Sequence, residues 1–266
     1  MARHQKQHVP EADMMKTLDS RQPALFNLLE RLSWCLPLVF LIGAPSVLIT
    51  RLIFLHYYPG YFVNDSPTIS ETASHPPAYH FFEWTMALVT VCIIISWSLN
   101  MLRNRRRLSE IASGAPVLGP AILHTMAGLT GISAGLFLLL IAVFNLHDGH
   151  DVHMFGSWGF YITQATSITF DILFVLWVRR LAGISEEGDG LAGRLAVAAA
   201  AFIGSWFFLY MYETKGGASP EHRYAVQLVY VGAEYTLAML FFFYPVMVHG
   251  ELRRHFREFA AADRRG

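Results

Sequence analysis

The chain has 266 residues, of which 54% are hydrophobic and only 15% are charged, and its formal net charge is zero. Soluble domains carry about 25% charged residues, so this composition excludes an ordinary soluble domain, and the charge gives no indication of nucleic-acid binding. The two cysteines, Cys35 and Cys92, lie inside apolar segments, which excludes a disulfide framework and a zinc knuckle. Apolar runs of about 20 residues indicate an integral membrane protein.

Six apolar segments are long enough to cross a bilayer as helices, because a span needs roughly 20 residues. In chain order they cover about Leu36 to His56, Phe81 to Leu102, Pro120 to Leu146, Met154 to Val178, Leu195 to Tyr212 and Tyr224 to Val248. We therefore predict an all-α bundle of six membrane-spanning helices. Residues 33–250 form its membrane domain, residues 1–32 an N-terminal segment and residues 251–266 a basic tail. The first apolar segment is too long for the hydrophobic part of a signal peptide, so we expect a true span.

Arginine and lysine are concentrated in every second connection. The N-terminal segment, the connection that holds Arg103, the connection that holds Arg194, and the tail carry most of them, and the other three connections hold only Lys215 and Arg223. Because basic residues flank spans on the cytoplasmic side, we predict that both termini are cytoplasmic. The polar stretch DSPTISETASHPPAYHFFEW, Asp65 to Trp84, then lies on the non-cytoplasmic side. The basic tail is either a plain anchor or a continuation of the sixth helix along the membrane surface.

Ionisable side chains inside the spans are costly in a bilayer, so they are usually functional or paired. Arg51, Glu83 and Glu234 lie in the half of the spans nearest the polar stretch. At the rise of an α-helix, Glu234 lies about 15 Å from the outer end of its span. Asp171 and His124 lie nearer the cytoplasmic side, and we expect both to form interhelical hydrogen bonds.

Histidines surround the same outer layer, at His56, His75, His80 and in the segment HDGHDVH, His147 to His153. His80 and Glu83 are three residues apart and share a helix face. Three interpretations of this layer remain open. In a structural one, Arg51 pairs with Glu83 or Glu234; in a second, Arg51 binds the phosphate of a lipid headgroup; in the third, the layer is catalytic.

The sequence lacks the GxSxG, P-loop and Rossmann motifs, and HDGHDVH has residue types that bind metals without a zinc signature. We therefore assign no metal ligands. A nucleophilic serine needs a base, and Ser70 in the polar stretch has His75 or His80 as sequence candidates.

Three segments carry a resemblance to the Frag/DRAM/Sfk family. PTISETASHPP, Pro67 to Pro77, resembles the "iSdtg…pP" loop that follows the first span in that family, with SET in place of Ser-Asp-Thr. VGAEYTLAMLFFFYP resembles its "sAicEW" segment, with Glu234 at the acidic position and Tyr235 where Trp is commoner. DVHMFGSWGF resembles its histidine-led fourth span, with His153 at the histidine.

The resemblance implies a six-span membrane protein that handles lipids on the non-cytoplasmic side. Family members take part in fatty-acid remodelling of GPI anchors in the Golgi, in exchange of GPI lipid for ceramide, in autophagy at the lysosome and in phosphoinositide signalling. We therefore expect lipid acyl transfer or lipid hydrolysis, or alternatively a non-enzymatic lipid sensor or scaffold. Membrane lipids are the expected partners, and no cofactor is assigned. The expected location is Golgi, lysosome or plasma membrane in a eukaryote and the inner membrane in a bacterium.

The candidate residues follow from the outer layer and the resemblance together. The predicted catalytic residues are Glu234, His153, His80 and Glu83, and the predicted substrate-binding residues are Arg51, Ser70 and Glu71.

Overall fold

A computed structural model of the chain describes residues 22–61, 66–111, 117–182 and 190–263. The predicted N-terminal segment up to residue 21, and the last three residues of the predicted tail, lie outside these ranges. The described ranges are helical, without strands. The helices are α1 Gln22–Leu32, α2 Cys35–Tyr57, α3 Ile69–Thr72, α4 Ala78–Ile111, α5 Leu118–Val143, α6 His150–Ala182, α7 Leu191–Gly217 and α8 Arg223–Asp263. Six helical stretches are long and apolar enough to cross a membrane, the first formed by α1 and α2 together. The predicted six-span helical bundle is thereby confirmed.

Two helices continue well beyond the apolar segments that predicted them. α4 continues to Ile111 and α8 to Asp263, because the polar residues in these extensions bond to other helices. Arg103 in α4 lies 3.2 Å from Glu251 in α8, and its side chain is only 1% exposed. Arg194 is likewise inside α7 and buried. Arg103 and Arg194 were predicted to lie in connections between spans, whereas the structure places both inside helices, where carboxylates of other helices bind them.

The basic tail begins as a direct continuation of α8. Arg253 and Arg257 place their Nε atoms 3.2 and 2.6 Å from Glu30 Oε1 in α1. This start of the tail is therefore tied to the helix that leads into the first span. The sixth helix therefore continues into the tail, as far as Asp263.

Asn145 ends α5 three residues before the predicted boundary. Its Oδ1 accepts hydrogen bonds from the backbone N–H groups of His147 and Asp148, at 2.8 and 2.9 Å. Asparagine favours turns by bonding to the backbone two or three residues ahead. The HDGHDVH segment therefore begins as a tight turn, and α6 starts within it at His150.

Small residues let α5 pack closely against α4. A Cβ atom on Gly131 would collide with the Trp97 ring, and one on Gly135 would lie 2.7 Å from Ile94 Cγ1. Gly131 and Gly135, which have the GxxxG spacing, thus form a face that packs inside the bundle. α5 lies between α4 and α6, whereas α8 contacts α1, α2 and α7. Of the six spans, α7 is the least buried.

The bundle has two ends. The loop end carries α3, the α5–α6 connection and the α7–α8 connection. The tail end carries α1 and the C-terminal part of α8. The distribution of Arg and Lys remains the basis for assigning the loop end to the non-cytoplasmic side.

Candidate functional site

Helix α3 is a single turn with a capped N-terminus, and it lies at the loop end of the bundle. Thr68 Oγ1 accepts from the backbone N–H of Glu71 at 3.0 Å, and Glu71 Oε2 accepts from the backbone N–H of Thr68 at 2.7 Å. This reciprocal capping box satisfies two N–H groups that the helix start would otherwise leave free. The SET sequence therefore forms a short helix, with Glu71 closing it and Ser70 within it.

Arg51 on α2 holds the segment that leads into α3. Its Nη1 donates to the carbonyl oxygen of Pro67 at 2.7 Å, and its Nη2 donates to Ser66 Oγ at 3.2 Å. Gln227 on α8 donates to the carbonyl oxygen of Ser66 at 2.9 Å. Arg51 also lies 3.4 Å from the hydroxyl oxygen of Tyr235. These contacts favour a role as loop anchor over the alternative in which Arg51 pairs with Glu83 or Glu234.

Glu234 connects α8 directly to the start of α3. Its Oε2 accepts from the backbone N–H of Ile69 at 3.0 Å, and the residue is 5% exposed. A carboxylate buried this deeply needs hydrogen-bond donors, and the first N–H groups of a helix provide them. Glu234 therefore helps to hold the backbone beside Ser70 in place.

His153 is hydrogen bonded to Ser70 at the start of α6. Its Nε2 lies 2.8 Å from Ser70 Oγ, and its Nδ1 lies 2.6 Å from the carbonyl oxygen of Phe144. A carbonyl only accepts, so Nδ1 carries the proton and Nε2 accepts the hydroxyl proton of Ser70. His153 is 1% exposed, which keeps the ring in this orientation. The imidazole next to Ser70 is thus that of His153, and not that of His75 or His80, the two candidates from the sequence.

The remaining predicted residues lie elsewhere at the loop end. His80 Nδ1 is 4.0 Å from Glu83 Oε2 on α4, with side chains 67% and 32% exposed. His75 contacts the Glu71 carbonyl oxygen at 3.0 Å and His147 Nε2 at 3.4 Å. The structure therefore brings Ser70, His153 and Glu234 together around α3, and it places the His80–Glu83 pair on the exposed side of α4. We call Ser70, His153 and Glu234 the loop-end site.

A cavity of about 250 Å³ opens beside Ser70. Ser70 and Glu234 also line a smaller adjoining space of about 30 Å³ that extends toward the core. The larger cavity mixes hydroxyl, charged and aromatic groups. Its lining residues are Thr68, Ser70, Glu71, Leu146, His150, Met154, Ser157, Trp158, Tyr161, Phe208, Tyr212, Lys215, Tyr230 and Glu234. Such a cavity suits the polar part of an amphipathic ligand, with apolar contacts below it. Across the described ranges, no group of three His, Cys, Asp or Glu side chains has the arrangement to hold a metal ion.

The family model for the Frag1/DRAM/Sfk1/Cwh43P N-terminal domain matches residues 29–255. The chain belongs to this family. The match covers the loop-end site and the six spans except the first residues of α1 and the last residues of α8, and it confirms the resemblance seen in the sequence. No curated protein and no solved structure shows a significant match to the chain.

The cavity of this Frag1-family domain is also lined by residues that the sequence did not predict as site residues. Ser157 and Tyr161 follow His153 at intervals of four residues, so all three share one face of α6. This spacing was the available signal, but serine and tyrosine inside an apolar helix do not stand out from packing residues. Tyr230 was overlooked for the same reason, and Lys215 was counted only as a charge in a connection.

Proposed function

We propose that this Frag1-family chain binds a membrane lipid in the loop-end cavity and transfers or hydrolyses one of its acyl chains. The observation that carries the proposal is the 2.8 Å contact between Ser70 Oγ and His153 Nε2 at the wall of that cavity. A serine next to an oriented neutral histidine is the arrangement used for acyl-group chemistry on several unrelated folds.

The chemistry follows from the tautomer of His153. Ser70 Oγ attacks the ester carbonyl carbon while His153 Nε2 takes the hydroxyl proton. The tetrahedral intermediate collapses as the ester C–O bond breaks, and the leaving alcohol takes the proton from His153. The acyl group then resides on Ser70. Water or a lipid hydroxyl attacks it, His153 accepts that proton, and Ser70 regains a proton as the acyl group leaves.

The neighbouring groups position this pair. The carbonyl oxygen of Phe144 orients the His153 ring, in the place that a carboxylate occupies in many triads. Glu234 holds α3 through Ile69 and adds a carboxyl group to the wall of the cavity beside Ser70. Arg51 anchors the preceding loop, which indirectly fixes where Ser70 lies.

The substrate and the side of the membrane are part of the proposal. The Arg and Lys distribution supports action at the non-cytoplasmic face. Family membership supports GPI anchors or phospholipids as the acyl donor, with Golgi, lysosome or plasma membrane as the eukaryotic location and the inner membrane as the bacterial one. Roles in autophagy or phosphoinositide signalling would then follow from altered lipid composition.

Non-enzymatic lipid sensing is the second candidate function. It is favoured by the burial of His153, which is 1% exposed and lies behind Ser70 rather than among the residues that line the cavity. In this alternative, the Ser70–His153 contact ties α3 to α6, and the cavity binds lipid without changing it.

The experiment that separates the two candidates uses purified protein in vesicles made from a lipid extract of the host membrane, followed by mass spectrometry of the lipids. We expect wild type to change the acyl composition of one lipid class and Ser70→Ala to reduce the rate at least about 10³-fold. Ser74→Ala is the matched control, because Ser74 lies in the same loop and bonds to the Ser70 carbonyl oxygen and the Leu146 N–H.

Ser74→Ala should retain turnover. Rescue of a deletion strain by Ser70→Ala, together with an unchanged lipidome in wild-type vesicles, would instead establish the sensor.

A further inference from the structure

A long groove runs between α6 and α7 on the membrane-facing surface. It has a volume of about 710 Å³. Small side chains, including Ala165 and Ser205, leave the space, and aromatic side chains such as Phe170, Phe202 and Trp206 form its walls. α7 is the least buried span, so the groove is open toward the bilayer.

The hydroxyl groups in this groove are directed back to their own helices. Thr166 donates to the Ile162 carbonyl oxygen at 2.7 Å, and Thr169 donates to the Ala165 carbonyl oxygen at 2.9 Å. Ser205 does the same to Ala201, at 2.7 Å. Such back-bonding satisfies these hydroxyl donors locally. The groove therefore offers a mostly apolar surface to its occupant, with Glu213 as a charged residue in its lining.

The groove adjoins the loop-end cavity. Trp158, Tyr161 and Phe208 line both spaces, and the rings of Tyr161 and Phe208 stack with centroids 4.9 Å apart at the junction. A ligand can thus place a polar part beside Ser70 and an apolar part between α6 and α7.

The length of the groove matches one leaflet of a membrane. From Trp158 to Phe170 along α6 the helical rise gives about 18 Å, close to half of a hydrocarbon core of about 30 Å. The occupant that fits this length, this apolar lining and this lateral opening is one extended acyl chain of a lipid.

We propose that the groove between α6 and α7 binds one long acyl chain of the lipid whose ester bond reaches Ser70. The substrate class is accordingly a long-chain acyl lipid that enters sideways from the bilayer. The ester chemistry rests on the proposed function, but the binding of the chain does not.

Two small residues of α7 provide a matched pair of variants. Ser205→Phe fills the groove, whereas Ala200→Phe adds the same ring on the exposed, lipid-facing surface of α7 outside it. Ala165→Leu narrows the groove from α6 and serves as the second variant if Ser205→Phe does not fold.

The binding experiment uses full-length protein in phosphatidylcholine vesicles that contain a small fraction of phosphatidylcholine with a photoactivatable diazirine in the middle of one chain. We expect cross-links to peptides that contain Phe170 and Phe202 in wild type. Ser205→Phe or Ala165→Leu should reduce these cross-links about tenfold, the scale on which apolar pockets discriminate by size, and Ala200→Phe should leave them unchanged. Equal cross-linking in all variants would overturn the groove as a chain site.

The catalytic experiment compares p-nitrophenyl palmitate with p-nitrophenyl butyrate. We expect Ser205→Phe to lose about tenfold in turnover of the palmitate ester while retaining turnover of the butyrate ester. An equal loss for both esters would contradict chain recognition by the groove. If wild type cleaves neither ester but the cross-links follow the variants, the ester chemistry fails and the chain site stands.

Discussion

The two ends of the bundle bury ionisable side chains in opposite ways. At the tail end, Arg194 pairs with Asp171 and also with Glu251 at 3.1 Å. Arg103 pairs with the same Glu251 at 3.2 Å, and Tyr244 donates to Asp171 at 2.6 Å. These five residues form the tail-end cluster, in which two buried arginines on α4 and α7 meet two carboxylates on α6 and α8. The expected interhelical hydrogen bonds of Asp171 are thereby confirmed.

At the loop end, the buried groups are tied mainly to backbone atoms and face a cavity. Glu234 accepts from Ile69, His153 contacts the Phe144 carbonyl oxygen, and Ser70 lines open space. Arg103 and Glu251 of the tail-end cluster also line a cavity, of about 280 Å³. What distinguishes the two ends is therefore how the buried groups are satisfied: opposite charges pair across helices at the tail end, whereas a histidine, a serine and a carboxylate bond to each other and to the backbone at the loop end.

Breaking the tail-end cluster should have the largest effect on stability. Arg194→Met leaves Asp171 buried without its charged partner, and removing one member of a buried ion pair costs about 3–5 kcal/mol. We expect that loss in the free energy of unfolding, measured by denaturant titration in mixed micelles. The double variant Asp171→Leu with Arg194→Met should recover most of it. An Arg194→Met protein as stable as wild type would show that the tail-end cluster does not stabilise the packing of its helices.

Glu234 variants test whether the loop-end site has a catalytic role in addition to a structural one. Glu234→Gln keeps an oxygen that can accept from Ile69 but removes the charge, so we expect normal folding and a loss of turnover of about 10²-fold. Glu234→Leu should lose both the hydrogen bond and the turnover. The measurement is the acyl exchange rate in vesicles at matched protein levels. Normal turnover by a well-folded Glu234→Gln protein would remove the Glu234 charge from the mechanism.

A matched pair of tyrosines compares the two ends directly. Tyr244→Phe removes a hydroxyl that contacts both Asp171 and Arg194, at 2.6 and 3.2 Å, and leaving buried groups unsatisfied costs about 1–3 kcal/mol. Tyr230 lines the loop-end cavity, and its hydroxyl has no hydrogen-bond partner among the described residues. Tyr230→Phe should therefore leave unfolding unchanged. Equal destabilisation by the two variants would contradict the distinction between a stabilising tail-end cluster and a ligand-binding loop-end site.

Hydropathy was sufficient for the six spans because the bilayer requires long apolar helices, and this requirement acts locally along the chain. Hydropathy did not predict the low exposure of Arg103, Arg194 and Glu251. These residues lie just outside the apolar segments and lose their exposure only through partners on other helices. The expected interhelical hydrogen bond of His124 was also wrong. Its buried Nδ1 has no hydrogen-bond partner in the described ranges, and its ring packs edge-on to Phe174.

The loop-end site was predictable only in part, because its contacts join distant positions. Glu234 stood out because a charged side chain inside a span is energetically costly, and His153 because a histidine at the start of a span is unusual. The family resemblance pointed to the same two residues. The contact between Ser70 and His153 spans 83 residues, and it depends on a four-residue helix too short to show a periodic pattern. The sequence therefore offered His75 and His80 as candidate bases for Ser70.

The smallest effect should come from the cap that holds Ser70 in place. Thr68→Ala removes the acceptor for the Glu71 N–H, and loss of such a cap costs about 1 kcal/mol. Because α3 is a single turn, we expect this loss to loosen α3 locally, with hydrogen exchange at Glu71 and Thr72 faster by about fivefold, the factor that 1 kcal/mol corresponds to. Turnover should fall by no more than that factor. Thr68→Ser, which keeps the acceptor oxygen, should behave as wild type in both measurements. A loss of turnover as large as that of Ser70→Ala would mean that the geometry of α3, rather than the Ser70 hydroxyl, limits the reaction.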